Sequence, residues 1–403
     1  MHSIRYFLPF LLVIAILPIA IAFANGLLSS FGDNPQFSFT LAGSFAIYMA
    51  TRPTRRELAI TILIGFALRF EYGAIIGVKP YFGSELISLA GFMGIASLIV
   101  LGYSATQNKN LSVLGAAAFF PYVTILVGFI LPITSRLSPV TFDSHLLAVD
   151  ATFGFQPSFV LGQLIRGRPF LRDIFTTVYY ALPLPVAMLC AAAVKNEHMS
   201  EVRRLLSLFG VLSVVGFFIY AVCPATGPAY AFHECFPMKP PHLPDISLAP
   251  LSVPNAPRNA MPSLHLCAAL LVFWNTSIMH KATRIAAGFF LAGTAFAILA
   301  LGEHYLIDII TAVPFALMFQ ATFTKPSIRN FRWKYGAMIG STGFVALWLI
   351  MLRFRIQPLV LWPAITYFIS ISTLGFSFFA LHELSRRNPI TECSNLADRS
   401  NSY

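Results

Sequence analysis

The sequence predicts an all-α, polytopic integral membrane protein, and three observations support that fold class. First, 57% of the 403 residues are hydrophobic and only 11% are charged, whereas a soluble domain usually carries about a quarter charged residues. Second, apolar runs of membrane-spanning length recur along the chain. Third, the Lys and Arg residues between these runs are distributed unequally in a way that supports one orientation.

About twelve transmembrane helices are expected, because each run of roughly 17–25 mostly apolar residues is long enough to cross a bilayer. The first run also resembles a secretory signal peptide, but more membrane segments follow, so we expect an uncleaved helix. The third contains Arg69 and Glu71, which indicate an interface pair or a polar site within the membrane. The predicted segments are residues 7–24, 36–50, 57–78, 84–105, 111–133, 173–194, 205–222, 262–280, 285–302, 304–324, 335–352 and 358–381.

The net charge of +11 would suggest nucleic acid in a soluble protein, but in a membrane protein it more often reflects basic cytoplasmic loops. With a cytoplasmic N-terminus, 17 of the 27 basic residues fall on the cytoplasmic side and nine on the outer side, where Arg353 and Arg355 are the exceptions to the bias. We therefore expect no nucleic-acid partner. Both termini are expected in the cytoplasm, and the membrane is expected to be a bacterial inner or plasma membrane.

Two long loops, residues 135–172 and 223–261, fall on the outer side of this topology, and binding and catalytic residues are concentrated in loops. In the first loop, the amphipathic pattern of Asp143–Phe155 predicts a helix that lies at the membrane interface. Its solvated polar face would consist of Asp143, His145 and Asp150.

The second outer loop begins with the Gly- and Pro-containing stretch Cys223–Tyr230. This composition predicts a shaped turn, which could line a pocket. The loop also contains Cys223 and Cys235. They form a disulfide if the outer side is oxidising, and otherwise remain two free thiols.

The first motif that suggests chemistry is Arg258–His265, with the sequence Arg-Asn-Ala-Met-Pro-Ser-Leu-His. Pro262 suits the first turn of a helix, and the free amides and positive dipole end of such a turn favour an anion. Ser263 adds a hydroxyl donor, Arg258 adds planar charged donors, and His265 has a proton that it can release near neutral pH. Together these groups suit a phosphate.

The second motif is Gly302–Asp308, in which His304 and Asp308 share one face of a helix because they are four residues apart. A carboxylate there can hold the imidazole Nδ1–H and leave Nε2 free as a nucleophile. Between the two motifs the chain runs down one apolar segment and back along another, each about 27 Å long at about 1.5 Å per residue. Two crossings would place His265 and His304 at the same depth on the same side.

Met261–His265 and His304–Asp308 resemble the second motif and the end of the third motif of the type 2 phosphatidic acid phosphatase superfamily. That superfamily also contains vanadium haloperoxidases and lipid phosphotransferases. Leu264 in place of a glycine, and Tyr305 after the second histidine, look more like its inositol phosphorylceramide synthase (Aur-type) branch. The resemblance implies a lipid substrate in the membrane, and it implies no metal and no other cofactor.

The resemblance covers roughly residues 111–324 and implies a six-helix catalytic core, with the outer loops 135–172 and 223–261 inside it. Residues 1–110 would be accessory transmembrane helices. Residues 325–403 would form two further transmembrane helices and a cytoplasmic tail.

Carried over residue by residue, the resemblance assigns the attack on phosphorus to His304 and the orientation of that ring to Asp308. His265 would protonate the leaving alcohol, and Ser263 would help to bind the phosphate. Two cations that the family usually provides have no counterpart, because other residues stand at their positions. Candidate replacements on the outer side are Arg258, Arg166 and Arg168, and this departure favours the transferase-like branch.

Other interpretations stay open at this point. Each histidine alone could be an ordinary helix-end residue, and the two with Asp308 could hold a metal to which Glu303 and His233 add ligands. We expect transfer of an inositolphosphate-type lipid headgroup. The alternatives are a phosphatase for phosphatidate or polyprenyl diphosphate and, given twelve helices, a non-enzymatic transporter. The sequence does not indicate an oligomeric state.

Overall fold

The computed structural model describes residues 35–76, 85–106, 111–241, 248–276, 279–325 and 331–385. This part of the chain contains 16 helices and one two-stranded sheet, so the predicted all-α class is confirmed. The helices are α1 (Pro35–Ala50), α2 (Arg55–Ile76), α3 (Glu85–Thr106), α4 (Leu111–Leu137), α5 (Asp143–Ala151), α6 (Pro157–Ile165), α7 (Pro169–Tyr180), α8 (Pro183–Lys195), α9 (Met199–Val222), α10 (Pro228–Ala231), α11 (Leu264–Asn275), α12 (Lys281–Ala300), α13 (Leu306–Phe323), α14 (Phe331–Phe354), α15 (Ile356–Leu361) and α16 (Pro363–Ser385).

The described residues include seven helices that are long and apolar enough to cross a membrane, or eight if α7 and α8 together form one bent span. The protein is therefore polytopic, but the prediction of twelve spans is wrong. The seven helices are α3, α4, α9, α12, α13, α14 and α16. The first predicted segment, residues 7–24, lies outside the described residues.

The other predicted spans fail for separate reasons. α1 has only 16 residues, which gives about 24 Å at about 1.5 Å per residue. α2 has 22 residues but carries charges along its length, including Glu57 and Arg69. The apolar run at 173–194 is broken by a 46° bend between α7 and α8. The run at 262–280 is helical over only 12 residues in α11.

α13 lies at the centre of the helix packing. Of its membrane-length window 67% is buried, against 28% for α12 and α16, which agrees with a sequence that is apolar on all faces. It packs against α11, α14 and α16, and α12 packs in turn against α6, α7 and α11. α1 packs against α3, α4 and α8. The start of α13 therefore lies where several helices and loops meet.

The two long loops are joined by the small sheet, in which β1 (Val140–Thr141) pairs antiparallel with β2 (Leu251–Ser252). In the second loop, Cys223 is buried and Cys235 is half-buried, and both are free thiols. The disulfide alternative is therefore not realised in this structure.

The prediction of an interfacial helix at Asp143–Phe155 is wrong. α5 does begin at Asp143, but every residue from Asp143 to Asp150 is buried. Leu146, Leu147 and Val149 belong to the hydrophobic core. The alternation of polar and apolar residues reflects two kinds of buried surroundings, because the polar side chains bind neighbouring segments of the same protein.

Arg353, an exception to the charge bias, has a local explanation. It lies at the end of α14, and its guanidinium donates to the Val222 carbonyl at the C-terminal end of α9. The same group lies over the Phe142 ring, with 5.6 Å between Cζ and the ring centroid. Cations are favoured at the C-terminal ends of helices, so Arg353 stabilises the C-terminal end of α9.

Candidate active site

Three segments that are distant in sequence form the candidate site. The loop Cys223–Tyr230 lies between the two motifs: the Ala225 carbonyl accepts from the Ala260 amide at 3.0 Å, and the Ala229 amide donates to the Gly302 carbonyl at 2.9 Å. These bonds hold the segment before α11 and the segment before α13 at a set separation. The predicted turn thus contacts both motifs directly.

Gly227 permits the close approach of this loop to the second motif. Its φ is +92°, a conformation that side chains with a Cβ rarely adopt. A Cβ at this position would also lie 2.3 Å from the Glu303 carbonyl oxygen. Both the conformation and the spacing therefore require glycine.

His304 is 1% exposed and is held through both ring nitrogens. Nδ1 lies 2.7 Å from the Ala260 carbonyl oxygen; because a carbonyl can only accept, Nδ1 carries the proton. The neutral ring then presents an unprotonated Nε2, which accepts from the Ser263 hydroxyl at 3.1 Å. Burial lowers the pKa of His304 to about 4, although Glu303 and the bond to Ala260 oppose the shift. The ring is thus kept neutral, with Nε2 available as a nucleophile.

Asp308 lies beside His304 but makes a different bond from the one expected. Its Oδ2 is 3.4 Å from His304 Nδ1 and accepts from the Tyr305 amide at 2.8 Å. Asp308 is fully buried, and its Oδ1 has no partner among the described residues. The Ala260 carbonyl therefore accepts the hydrogen bond from Nδ1–H. The Asp308 carboxylate caps α13 and lies 3.4 Å from the same ring nitrogen.

Ser263 is the N-cap of α11, since its Oγ accepts from the Leu266 amide at 3.3 Å. The helix begins at Leu264, so the expectation that Pro262 occupies its first turn is wrong. Ser263 is fully buried, and its hydroxyl is shared between the cap and His304. This bond between Ser263 and His304 is a direct side-chain contact between the two motifs.

His265 lies in the first turn of α11 and stacks on Tyr179, with ring centroids 4.1 Å apart and planes inclined by 12°. Its Nε2 is buried without a hydrogen-bond partner among the described residues. Tyr179 also donates to Glu303 at 3.4 Å. His265 is therefore positioned by Tyr179, which the sequence did not single out.

Glu303 receives a second hydrogen bond, from the hydroxyl of Tyr230 at 3.2 Å. Tyr230 is 37% exposed, whereas the adjacent His304 is buried, so Glu303 lies between the surface and the histidine. Burial raises the pKa of the Glu303 carboxyl, and His304 and the two tyrosine hydroxyls oppose that rise. Only the alternative of a metal ligand drew attention to Glu303 in the sequence.

Arg258 does not point to a phosphate site in this structure. It is 1% exposed, and its guanidinium donates to four backbone carbonyls that belong to the two long loops. The acceptors are Ser138 (2.9 Å), Ala256 (2.6 Å), Pro139 (3.3 Å) and Val253 (2.7 Å). In this structure Arg258 therefore has a structural role, in which it links the two loops through hydrogen bonds, and not the predicted role of binding phosphate.

The other predicted cations lie at the surface. Arg166 and Arg168 are exposed and flank the turn between α6 and α7, and Arg168 donates to the Leu164 carbonyl at 2.8 Å. Neither is brought to His304 by a described contact. Within the described ranges, no group of three or more His, Cys, Asp or Glu residues is placed to hold a metal ion, so the geometry does not support the metal alternative.

Two buried carboxylates of α5 position the site, although the sequence suggested a solvated face for them. Asp150 accepts from the Leu306 and Ile307 amides at 2.7 and 3.0 Å and so caps α13. Burial raises the pKa of Asp150 to about 8, and these two amides oppose the rise. Helix amides at an N-terminus favour a carboxylate, which explains why an acid is found there.

Asp143 joins the loop to the second motif. Its two carboxylate oxygens accept from the Thr226 and Gly227 amides at 2.9 to 3.1 Å. The Tyr305 hydroxyl donates to the same group at 2.9 Å. Because Tyr305 follows His304 directly, Asp143 fixes the position of His304 relative to the loop Cys223–Tyr230.

The fold and the site together define a class: an all-α polytopic membrane protein whose buried, neutral histidine faces a serine at a helix N-terminus. Residues 144–322 match the PAP2 superfamily family model. This stretch is therefore a PAP2 superfamily domain, and it contains both histidine motifs; the resemblance expected from the sequence is confirmed at that level. Comparisons with curated proteins and with solved structures found no match.

Proposed function

We propose that the protein transfers a phosphoryl-linked lipid headgroup of the inositolphosphate type through a phosphohistidine on His304. The observation that carries the proposal is the state of that ring: Nδ1–H is held by Ala260 at 2.7 Å, and unprotonated Nε2 faces Ser263 at 3.1 Å. The match of residues 144–322 to the PAP2 superfamily, whose enzymes act on phosphate esters without a metal, supports the same chemistry. Candidate membrane spans that precede and follow both motifs in the sequence favour a lipid substrate.

In the first step, His304 Nε2 attacks phosphorus, an N–P bond forms and the ester P–O bond breaks. His265, whose Nε2 has no described partner, gives its proton to the leaving oxygen. The Ser263 hydroxyl turns from His304 to a phosphate oxygen. The Asp308 carboxylate, 3.4 Å from Nδ1, stabilises the positive charge that the ring gains.

In the second step, an acceptor hydroxyl attacks the phosphohistidine, the N–P bond breaks, and His265 takes the acceptor's proton. The burial of His304 supports transfer over hydrolysis, because a phosphohistidine shielded from water survives until an alcohol acceptor arrives. We place the site on the outer side of the membrane, as the charge bias suggests.

The test uses purified full-length protein and lipids labelled in the headgroup phosphate, with and without EDTA. We expect a labelled, acid-labile protein intermediate and a new lipid product, both resistant to EDTA and both lost in His304→Ala. The matched control is His198→Ala, because His198 is exposed at the far end of α9. Full activity in His304→Ala overturns the proposal. A water-soluble phosphate as the sole labelled product, either inorganic phosphate from a monoester lipid or the free headgroup phosphate from a diester lipid, identifies hydrolysis instead.

A further inference from the structure

Glu303 is a carboxylate between the two histidines that the mechanism above does not use. It directly precedes His304 and receives the hydroxyls of Tyr179 at 3.4 Å and Tyr230 at 3.2 Å. Tyr179 stacks on His265 at 4.1 Å. Glu303 thus lies at the junction between the nucleophile and the proton donor, with its two oxygens turned to different tyrosines.

A carboxylate in this place is unsuited to holding phosphate, because two anions close together repel each other. It is suited to accepting hydrogen bonds from uncharged hydroxyl groups, and a hydrogen bond to a charged acceptor is stronger than one between neutral groups. Glu303 already accepts hydrogen bonds from two hydroxyl groups, those of Tyr179 and Tyr230. A ligand hydroxyl could replace the longer of these bonds without leaving the carboxylate unpartnered.

The position also suits an incoming group. Tyr230 is 37% exposed and His304 is 1% exposed, and Glu303 is hydrogen-bonded to the first and directly precedes the second. An acceptor that approaches from the side of Tyr230 would therefore reach the Glu303 carboxylate close to the phosphohistidine.

We propose that Glu303, oriented by Tyr179 and Tyr230, selects a polyol as the phosphoryl acceptor by binding one hydroxyl while a neighbouring hydroxyl attacks. The inference rests on the proposed function. In the attack, the acceptor O–P bond forms, the bond between phosphorus and His304 Nε2 breaks, and the attacking hydroxyl's proton goes to His265. Glu303 only accepts a hydrogen bond from the second hydroxyl and undergoes no net change.

The test compares two small acceptors that differ in hydroxyl number, glycerol and 1-propanol, at equal concentration with a labelled lipid donor. The wild-type protein is expected to favour glycerol at least about tenfold, since one charged hydrogen bond is worth on the order of a factor of ten. Glu303→Gln is expected to reduce that preference to about threefold or less. Tyr230→Phe removes one orienting bond and is expected to give an intermediate preference.

The matched control is Glu234→Gln, which removes an exposed carboxylate from the same outer loop and is expected to leave the preference unchanged. A preference that stays at the wild-type value in Glu303→Gln and Tyr230→Phe overturns the inference, even if total activity falls. If Glu303→Gln does not fold, Tyr230→Phe and Glu303→Asp decide by the same ratio. Failure of the wild-type protein to form a phosphohistidine would instead refute the proposed function, so the two failures are distinguishable.

Discussion

Replacing Asp308 by asparagine separates two roles that a carboxylate beside a histidine can have. In this structure the Nδ1 proton of His304 is held by the Ala260 carbonyl at 2.7 Å, and Asp308 Oδ2 lies farther away at 3.4 Å. The asparagine oxygen can still accept from the Tyr305 amide, which Asp308 binds at 2.8 Å. Asp308→Asn therefore removes charge while it keeps both the tautomer and the helix cap.

The expected size of the effect follows from the distance. A full carboxylate charge and an imidazolium 3.4 Å apart attract each other by about 5 kcal/mol at an effective dielectric constant of about 20. Part of that attraction is already present before the ring becomes charged, so we expect formation of the phosphohistidine to slow by on the order of 10³-fold. Asp308→Ala should be equally slow and should also lose about 1 kcal/mol of unfolding free energy, because the Tyr305 amide loses its acceptor.

The assay is a single-turnover measurement of labelled phosphohistidine, with thermal unfolding of each variant measured alongside. Asp173→Asn, which changes an exposed carboxylate in α7, is the control and should match the wild type in both. Retention of more than about a tenth of the wild-type rate by Asp308→Asn would refute the reasoning, since the charge would then contribute little to the reaction. Equal loss of stability in the Asn and Ala variants would show that the cap is not preserved.

Two further predictions concern His304 and Arg258. Burial lowers the pKa of His304 from its ordinary 6.5 to about 4, so the neutral form of the ring persists as the pH falls. With a phosphodiester substrate, kcat/KM should therefore decline on the acid side only near pH 4. A decline with its midpoint near pH 6.5 would contradict the buried geometry. Arg258→Met leaves four loop carbonyls without their donor, so the unfolding free energy should fall by about 3 kcal/mol or more, while KM for the phosphate substrate in the folded protein changes less than about threefold. A tenfold rise in KM with unchanged thermal unfolding would instead show that Arg258 binds the phosphate.

The residues of the candidate site could be picked out in the sequence because residue type and short spacing are visible there. His304 and Asp308 do lie close together, but not on one helix face as predicted, because His304 precedes Tyr305, the N-cap of α13. The serine of the first motif is a common helix N-cap. The exact bond between His304 and Ala260 was not predictable, because a backbone carbonyl leaves no signature in the side-chain pattern. Sequence reasoning therefore assigned to Asp308 a proton that a main-chain group holds.

The number of spans was overestimated because hydropathy records composition and not the path of the chain. The apolar run at 173–194 includes Pro183, at which α8 begins after the 46° bend, and proline cannot continue the preceding hydrogen-bond ladder. The second run, residues 262–280, contains the apolar helix α11, but this helix ends at Asn275. The Asn275 side chain donates to Gln320 at 2.9 Å. Neither feature changes the mean hydropathy of a window, so both runs read as complete spans.

The roles of Arg258 and Asp143 depend on partners that are far away in sequence. Arg258 meets Ser138 across 120 positions, and Asp143 meets Tyr305 across 162. An arginine beside a phosphate motif and an acid on an amphipathic stretch both suggest exposed, functional groups when only neighbours are considered. A buried charged group is retained where it is fully hydrogen-bonded, and that condition can be recognised only once the loops are placed together.

The position of Arg258 also bears on which phosphate ester the site accepts. Its guanidinium is occupied by loop carbonyls, Arg166 and Arg168 are exposed, and no described contact brings any of the three to His304. A phosphate monoester carries close to two negative charges near neutral pH and would be costly to bury there without a cation. A phosphodiester carries one, which the Ser263 hydroxyl and the amide end of α11 can balance. The same residues that fail to supply the family's usual cations therefore favour a diester donor, and a diester donor is what headgroup transfer requires.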